Sequence, residues 1–85
     1  MKSFNYTIKD PTGIHARPAG LLVKTVKALS SNVRIEKDGK AVSADRLLAI
    51  MGLGIRCGDT VTVTITGGNE TASFEAIFAF FSENL

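Results

Sequence analysis

The stretch from Asp59 to Gly67, DTVTVTITG, alternates without a break. Val61, Val63 and Ile65 fall on one side, and Thr60, Thr62, Thr64 and Thr66 on the other. A period of two in β-branched residues describes a strand with one face buried and the other wet. Such a strand cannot stand alone. It needs strand neighbours for its amide groups and an apolar layer on the Val/Ile side only. The chain must therefore build a sheet that is covered on one face.

The remaining segments supply those parts. SFNYTIK (3–9) alternates as well, with Phe4, Tyr6 and Ile8 opposite Ser3, Asn5 and Thr7. DPTG (10–13) breaks it. From about Ala16 to Ser30 the period becomes helical. Ala19, Leu22, Val23, Val26 and Leu29 form an apolar stripe, and Arg17, Leu21, Lys24 and Ala28 lie opposite. Pro18 suits the first turn, where a missing N–H leaves no bond unmade. NVRIEKDGKAVS (32–43) reads as a hairpin, with Val33 and Ile35 pointing one way and Asp38-Gly39 as its tight turn. DRLLAIMGLG (45–54) gives a short helix stopped by Gly52 and Gly54. Asn69 caps a last helix with Phe74, Ile77, Phe78 and Phe81 on one face.

The order is βαββαβα. A helix between the first two strands makes them parallel, and the hairpin makes the second and third antiparallel. The fourth strand then fits antiparallel between the first and second. The expected fold is α+β: a two-layer open-faced sandwich, sheet order 1-4-2-3, with three helices on one face and the threonine ladder on the open one. It forms a single domain over residues 1–85.

Several function classes drop out. Cys57 is alone, which removes an intramolecular disulfide and a multi-cysteine metal site. No metal ligand cluster, cofactor loop or pair of catalytic carboxylates shows. No apolar run nears the roughly 20 residues that span a bilayer. MKSFNYTIKD does not read as a signal peptide, so a soluble cytoplasmic domain is expected. The net charge of +2 is unevenly spread. All ten Lys and Arg lie in residues 1–56 with four acids, and residues 57–85 carry four acids and no base. A basic face admits two readings, ordinary solvated surface or attraction of an anionic or acidic partner. Nucleic acid is disfavoured: there is no zinc spacing, no RNA-binding aromatic signature and no run of bases.

The one histidine, His15, sits between a turn and a helix. The first N–H groups of a helix lack intrahelical acceptors and carry the positive end of its dipole, which suits phosphate. Arg17 adds a planar guanidinium for phosphate oxygens. A neutral imidazole has one unprotonated nitrogen, a nucleophile toward phosphorus. The residues alone leave a second reading open, an exposed histidine of no special role. GLGIRCG (52–58) follows a helix fragment rather than a strand, so it reads as a helix stop rather than a phosphate loop. Cys57 within it lacks a catalytic partner and reads as incidental.

GIHARPAG (13–20), DGK (38–40) and MGLGI (51–55), together with the length and element order, resemble the HPr family. These are the histidine-containing phosphocarriers of the phosphoenolpyruvate-dependent sugar phosphotransferase system. The resemblance covers essentially the whole chain. It implies a monomeric carrier without metal or cofactor and without turnover of its own. His15 would accept a phosphoryl group on Nδ1 from enzyme I and pass it to enzyme IIA domains, with Arg17 as charge partner and Thr12 and Pro18 framing the site. Ala16, Gly20, Leu47, Leu48 and Met51 would form the apolar partner surface, rimmed by Arg17, Lys24 and Lys27; Lys40 and Arg46 either extend the patch or are ordinary surface. For Leu47, Leu48 and Met51 the residues also admit a plain core role. Where many relatives carry a regulatory serine, this chain has Arg46; Ser43 lies nearby, on the preceding strand end. A regulatory HPr-like paralogue, acting on regulatory proteins through the same histidine, is the alternative reading.

Overall fold

The computed structural model describes residues 1–85. The alternating segment is β4, Thr60–Thr66, and it lies inside a four-stranded sheet. It pairs antiparallel with β1, Lys2–Thr7, on one side and with β2, Asn32–Lys37, on the other. The sheet ends at β3, Lys40–Ser43, which pairs with β2. The order is therefore β1-β4-β2-β3, as the sequence led us to expect. Asp38 and Gly39 both take positive φ, 51° and 81°, as the tight hairpin turn requires.

Val61, Val63 and Ile65 are fully buried, and so are Val33 and Ile35 across the β2 pairing. The covering layer is α1, Ala16–Lys27, α2, Leu47–Gly52, and α3, Glu70–Asn84. Ala19, Leu22 and Val26 face the core from α1, Ile50 from α2, and Ile77 and Phe81 from α3. On the uncovered face, Thr7 and Thr60 share a hydroxyl hydrogen bond of 2.9 Å, and Thr62 donates to Asn5 at 2.8 Å. Polar side chains thus pair across the open face, which needs no covering layer.

Two boundaries depart from the sequence reading. The first helix stops at Lys27 rather than Ser30. Ala28 and Leu29 donate to Thr25 and Val26 in a tightened last turn, which satisfies those carbonyls. Leu29 still reaches the core from the turn as a half-buried residue, so the apolar stripe outlasts the helix. The buried face of α3 is also rotated. It comprises Ser73, Ile77, Phe80 and Phe81, whereas Phe78 is 43% exposed. Ser73 can be buried because Ser31 joins it: the Ser31 hydroxyl lies 2.6 Å from the Gly67 carbonyl and 2.8 Å from Ser73 Oγ. Phe74 and Phe78 stack at the margin instead, both edge-on to Phe4 of the outer strand β1. Asn69 caps α3 as expected, accepting from the Ala72 N–H.

The loop before α1 is held by an unusually close backbone approach. Gly13 has φ +66°, and a Cβ there would overlap the Ile55 carbonyl oxygen and lie 2.7 Å from Arg56 Cα. The neighbouring Ile14 N–H donates to that same carbonyl at 3.1 Å. Gly13→Ala should therefore lower stability by about 2–4 kcal/mol, from the left-handed backbone and the overlap together. Gly52→Ala, at a helical position with nothing within 4 Å, should be neutral or gain up to about 0.5–1 kcal/mol. Equal urea midpoints for the two variants would contradict this account.

Candidate functional site at the mouth of the first helix

His15 is the N-cap of α1, in extended conformation at φ −105° and ψ −172°. Its carbonyl accepts the first helical bond, from the Ala19 N–H at 3.0 Å. Its imidazole caps nothing and is exposed. The N–H groups of Ala16 and Arg17 have no acceptor within the protein, and Pro18 has no N–H. No acid lies in the first turn, while Lys24 and Lys27 sit in the last. The mouth of α1 thus keeps its full dipole, with free donors beside the imidazole.

His15, Arg17, Pro18, Asp10, Leu21 and Asn84 line a shallow cleft of about 60 Å³. Sites that enclose a small molecule run to about 300–1,000 Å³. This cleft cannot enclose a metabolite. Its imidazole is open to solvent. A larger groove of about 240 Å³, lined by Lys27, Ser31, Asn32, Ser43 and Asp45 among others, shares no residue with it and lies outside the His15 chemistry.

Three lining residues escaped the sequence reading. Asp10 accepts from both the Thr12 N–H, at 2.9 Å, and the Thr12 hydroxyl, at 2.7 Å. The aspartate-to-threonine spacing in DPTG is a turn signal that points to this pair. Thr12 thus frames the site through Asp10 and does not line the cleft itself. Leu21, on the solvent side as its spacing predicts, is 42% exposed; it lies one turn from Arg17 and so borders the same cleft. Asn84 comes from the far end of the sequence and carried no signal. The Lys9 and Asp10 N–H groups both donate to the Leu85 carbonyl oxygen, which docks the end of α3 beside the cleft.

The anticipated partner residues lie around this centre. Leu48 is 80% exposed, and Leu47 and Met51 are exposed to a lesser degree; only Ile50 of α2 is buried. The core role that the sequence left open for these three is thus not taken. Ala16, Arg17, Lys24 and Lys27 are exposed and Gly20 is half-buried. α2 packs on α1, so the two helices present one surface. Lys40 is exposed on β3, and Arg46 is the N-cap of α2, making no capping bond. Ser43 is half-buried and donates to Asp45 at 2.7 Å. Cys57 is free and exposed. No group of His, Cys, Asp and Glu is arranged to hold a metal, and no helix is long and apolar enough to cross a membrane.

A lone exposed imidazole at a helix mouth, in an open cleft beside an arginine, has the chemistry to take a phosphoryl group from another molecule. Comparison with known proteins agrees. The family model described as PTS HPr component phosphorylation site matches residues 2–83. The HPr-like protein Crh of Halalkalibacterium halodurans is 40% identical over 76 residues, covering 89% of this chain and 90% of that protein. The phosphocarrier protein HPr of Lysinibacillus sphaericus is 35% identical over 83 residues, covering 98% and 94%. The crystal structure of HPr-C-His from Thermoanaerobacter tengcongensis superposes at TM-score 0.91 with 37% identity, over 98% of this chain and 93% of that one. A dimer of HPr from the same organism superposes at 0.76, with 37% identity, over 98% and 95%. The chain belongs to the HPr family of phosphocarrier proteins of the phosphotransferase system.

The Asp10 cradle has a pH signature. The Thr12 hydroxyl, then the Thr12 N–H, holds the Asp10 carboxyl below its ordinary value of 3.8, against a smaller opposing effect of desolvation and with slight help from His15. A lowered folded-state value means that the unfolded chain binds the proton more readily. The contribution is therefore complete above about pH 3.8 and is lost as pH falls through the lowered value. Urea denaturation between pH 2 and 5, a window of about the ordinary carboxylate range, should show a shallower fall for Asp10→Asn than for wild type. An unchanged slope would contradict the cradle.

Proposed function

We propose that His15 accepts a phosphoryl group from enzyme I and delivers it to enzyme IIA domains of sugar permeases. The observation that carries this reading is the exposed His15 imidazole beside two unpaired helix N–H groups and Arg17. The Nδ1 lone pair forms a bond to phosphorus as the donor's bond to that phosphorus breaks, and the ring proton stays on Nε2. The dianionic group then meets charge-assisted donors already in place. Transfer onward reverses the step, with the acceptor's nucleophile displacing Nδ1. The chain needs no second catalytic group for this exchange, because each partner brings its own reactive residue.

Leu47, Leu48 and Met51, with Ala16, Gly20 and Leu21, supply the apolar centre for docking, and Arg17, Lys24 and Lys27 the basic rim. Rim charges steer an acidic partner and act mainly on the association rate. The monomer is the working form in this reading, since a single chain carries the whole cleft. Arg46 removes the hydroxyl that serine-directed control requires, which leaves His15 as the modified residue. A regulatory role is the second reading, favoured by the 40% identity to an HPr-like protein, Crh. It uses the same histidine to control partner binding rather than to pass the group on.

Incubation with enzyme I and phosphoenolpyruvate, followed by intact mass, separates these cases. Wild type should gain one acid-labile phosphoryl group and lose it again to enzyme IIA. His15→Ala should gain none, and labelling of that variant would contradict the assignment. Arg17→Ala should change stability by less than about 0.5 kcal/mol. It should slow transfer by roughly tenfold or more, as for a hydrogen bond to a charged group. A group that loads normally but never leaves for any enzyme IIA would favour the regulatory reading.

Leu48→Glu and Met51→Glu test the surface. Each should weaken enzyme I binding at least tenfold, or about 1.4 kcal/mol, with little change in melting temperature. A marked fall in melting temperature for both would assign them to the core instead.

A further inference from the structure

Lys37 is the last residue of β2. It follows Val33 and Ile35 on the helix side of the sheet, but past the end of the apolar core. Its side chain is only 17% exposed. An ammonium so placed needs partners, and a long apolar stem can carry it to them. It donates to the Gly54 carbonyl at 2.8 Å and lies 3.0 Å from Asp59 Oδ2. Both partners belong to the loop of residues 53–59 that joins α2 to β4. Asp59 Oδ2 also accepts the Arg56 N–H at 2.8 Å. That bond, and after it the one from Lys37, holds the Asp59 carboxyl below its ordinary value.

This loop in turn carries the segment that delivers His15. The Ile55 carbonyl accepts from Ile14, and Gly13 packs against Ile55 and Arg56. The Asp59 carbonyl accepts from Ile8 at 2.9 Å, and the Gly58 N–H donates to the Ile8 carbonyl at 2.8 Å. One loop therefore touches α2, with its exposed Leu48, and the turn that ends in His15. Lys37 reaches neither the cleft nor the docking surface, yet it fixes the piece between them.

We propose that Lys37 is a positioning residue for phosphoryl transfer. By clamping Gly54 and Asp59 it fixes the 53–59 loop, and through the Ile55–Ile14 bond it holds His15 in register with the α2 docking surface. The proposal rests on the phosphocarrier reading above. A partner that grips α2 must find the imidazole at a set distance and angle, and a misplacement costs rate far more than it costs folding. An apolar residue at this position could cover the core end equally well, but it could not tie a carbonyl and a carboxylate together.

The test combines native-state hydrogen exchange with transfer kinetics. Lys37→Met keeps the stem and removes the cation, Lys37→Arg keeps the cation, and Asp59→Asn keeps an acceptor for the Arg56 N–H. In Lys37→Met and Asp59→Asn, exchange at the Ile8, Ile14 and Gly58 amides should quicken by roughly tenfold while the β4 amides stay protected, the pattern of a local opening. The rate of transfer from phosphorylated enzyme I at saturation should fall by roughly three- to tenfold, a misalignment effect, and Lys37→Arg should restore most of it. Uniform quickening across β4 as well, or unchanged exchange at Ile14, would overturn the proposal. So would normal transfer by Lys37→Met despite a loosened loop. Failure of wild type itself to load would refute the phosphocarrier reading, and with it the role in transfer; the exchange pattern would then report on the clamp alone.

Discussion

The close approach of Gly13 to Ile55 and Arg56 is the constraint on which the site depends. It joins two segments that the sheet does not pair, the turn after β1 and the loop after α2. With the Ile14–Ile55 hydrogen bond it sets where α1 begins, and so where His15 stands relative to α2. A side chain at position 13 would push these segments apart. The sheet could survive that change, whereas the placement of His15 against α2 could not.

The chemistry follows from how little else the site contains. The cleft is too small to enclose a substrate, no acid stands in the first turn of α1, and the one carboxylate in the lining, Asp10, is already engaged by Thr12. Two free N–H groups and one guanidinium lie beside the imidazole, where the proposed phosphoryl group meets them. Such preorganised donors cost no rearrangement when the charge arrives. They also must not bind too well, since a carrier has to release its cargo. An exposed site, solvated on one side, meets both demands: the donors hold the group and water keeps the interaction modest.

Much of this was legible in the residues. The period of two in β4 and the Asp38-Gly39 turn led to the sheet order, and the periodicity of 16–30 led to α1. The placement of His15 and Arg17 at a helix mouth was legible because it depends on local sequence alone. The rest was not, because it depends on partners distant in sequence. Ser73 replaces Phe78 in the core only because the Ser31 hydroxyl, itself bonded to the Gly67 carbonyl, meets its hydroxyl. Asn84 joins the cleft because the Leu85 carbonyl docks on Lys9 and Asp10. The end of α1 at Lys27 reflects a tightened turn that the apolar pattern continues through. Whether Leu48 and Met51 served core or surface could not be read from so short a helix; packing of Ile50 alone into the core decides it.

The most direct test of the account is amide NMR of the protein before and after phosphorylation by enzyme I and phosphoenolpyruvate. If the helix mouth holds the group, the Ala16 and Arg17 amide protons should move strongly downfield as Nδ1 of His15 acquires phosphorus, and the β4 amides should stay in place. A phosphohistidine formed with both of those amides unmoved would contradict the claim that the free donors of α1 receive the phosphoryl group.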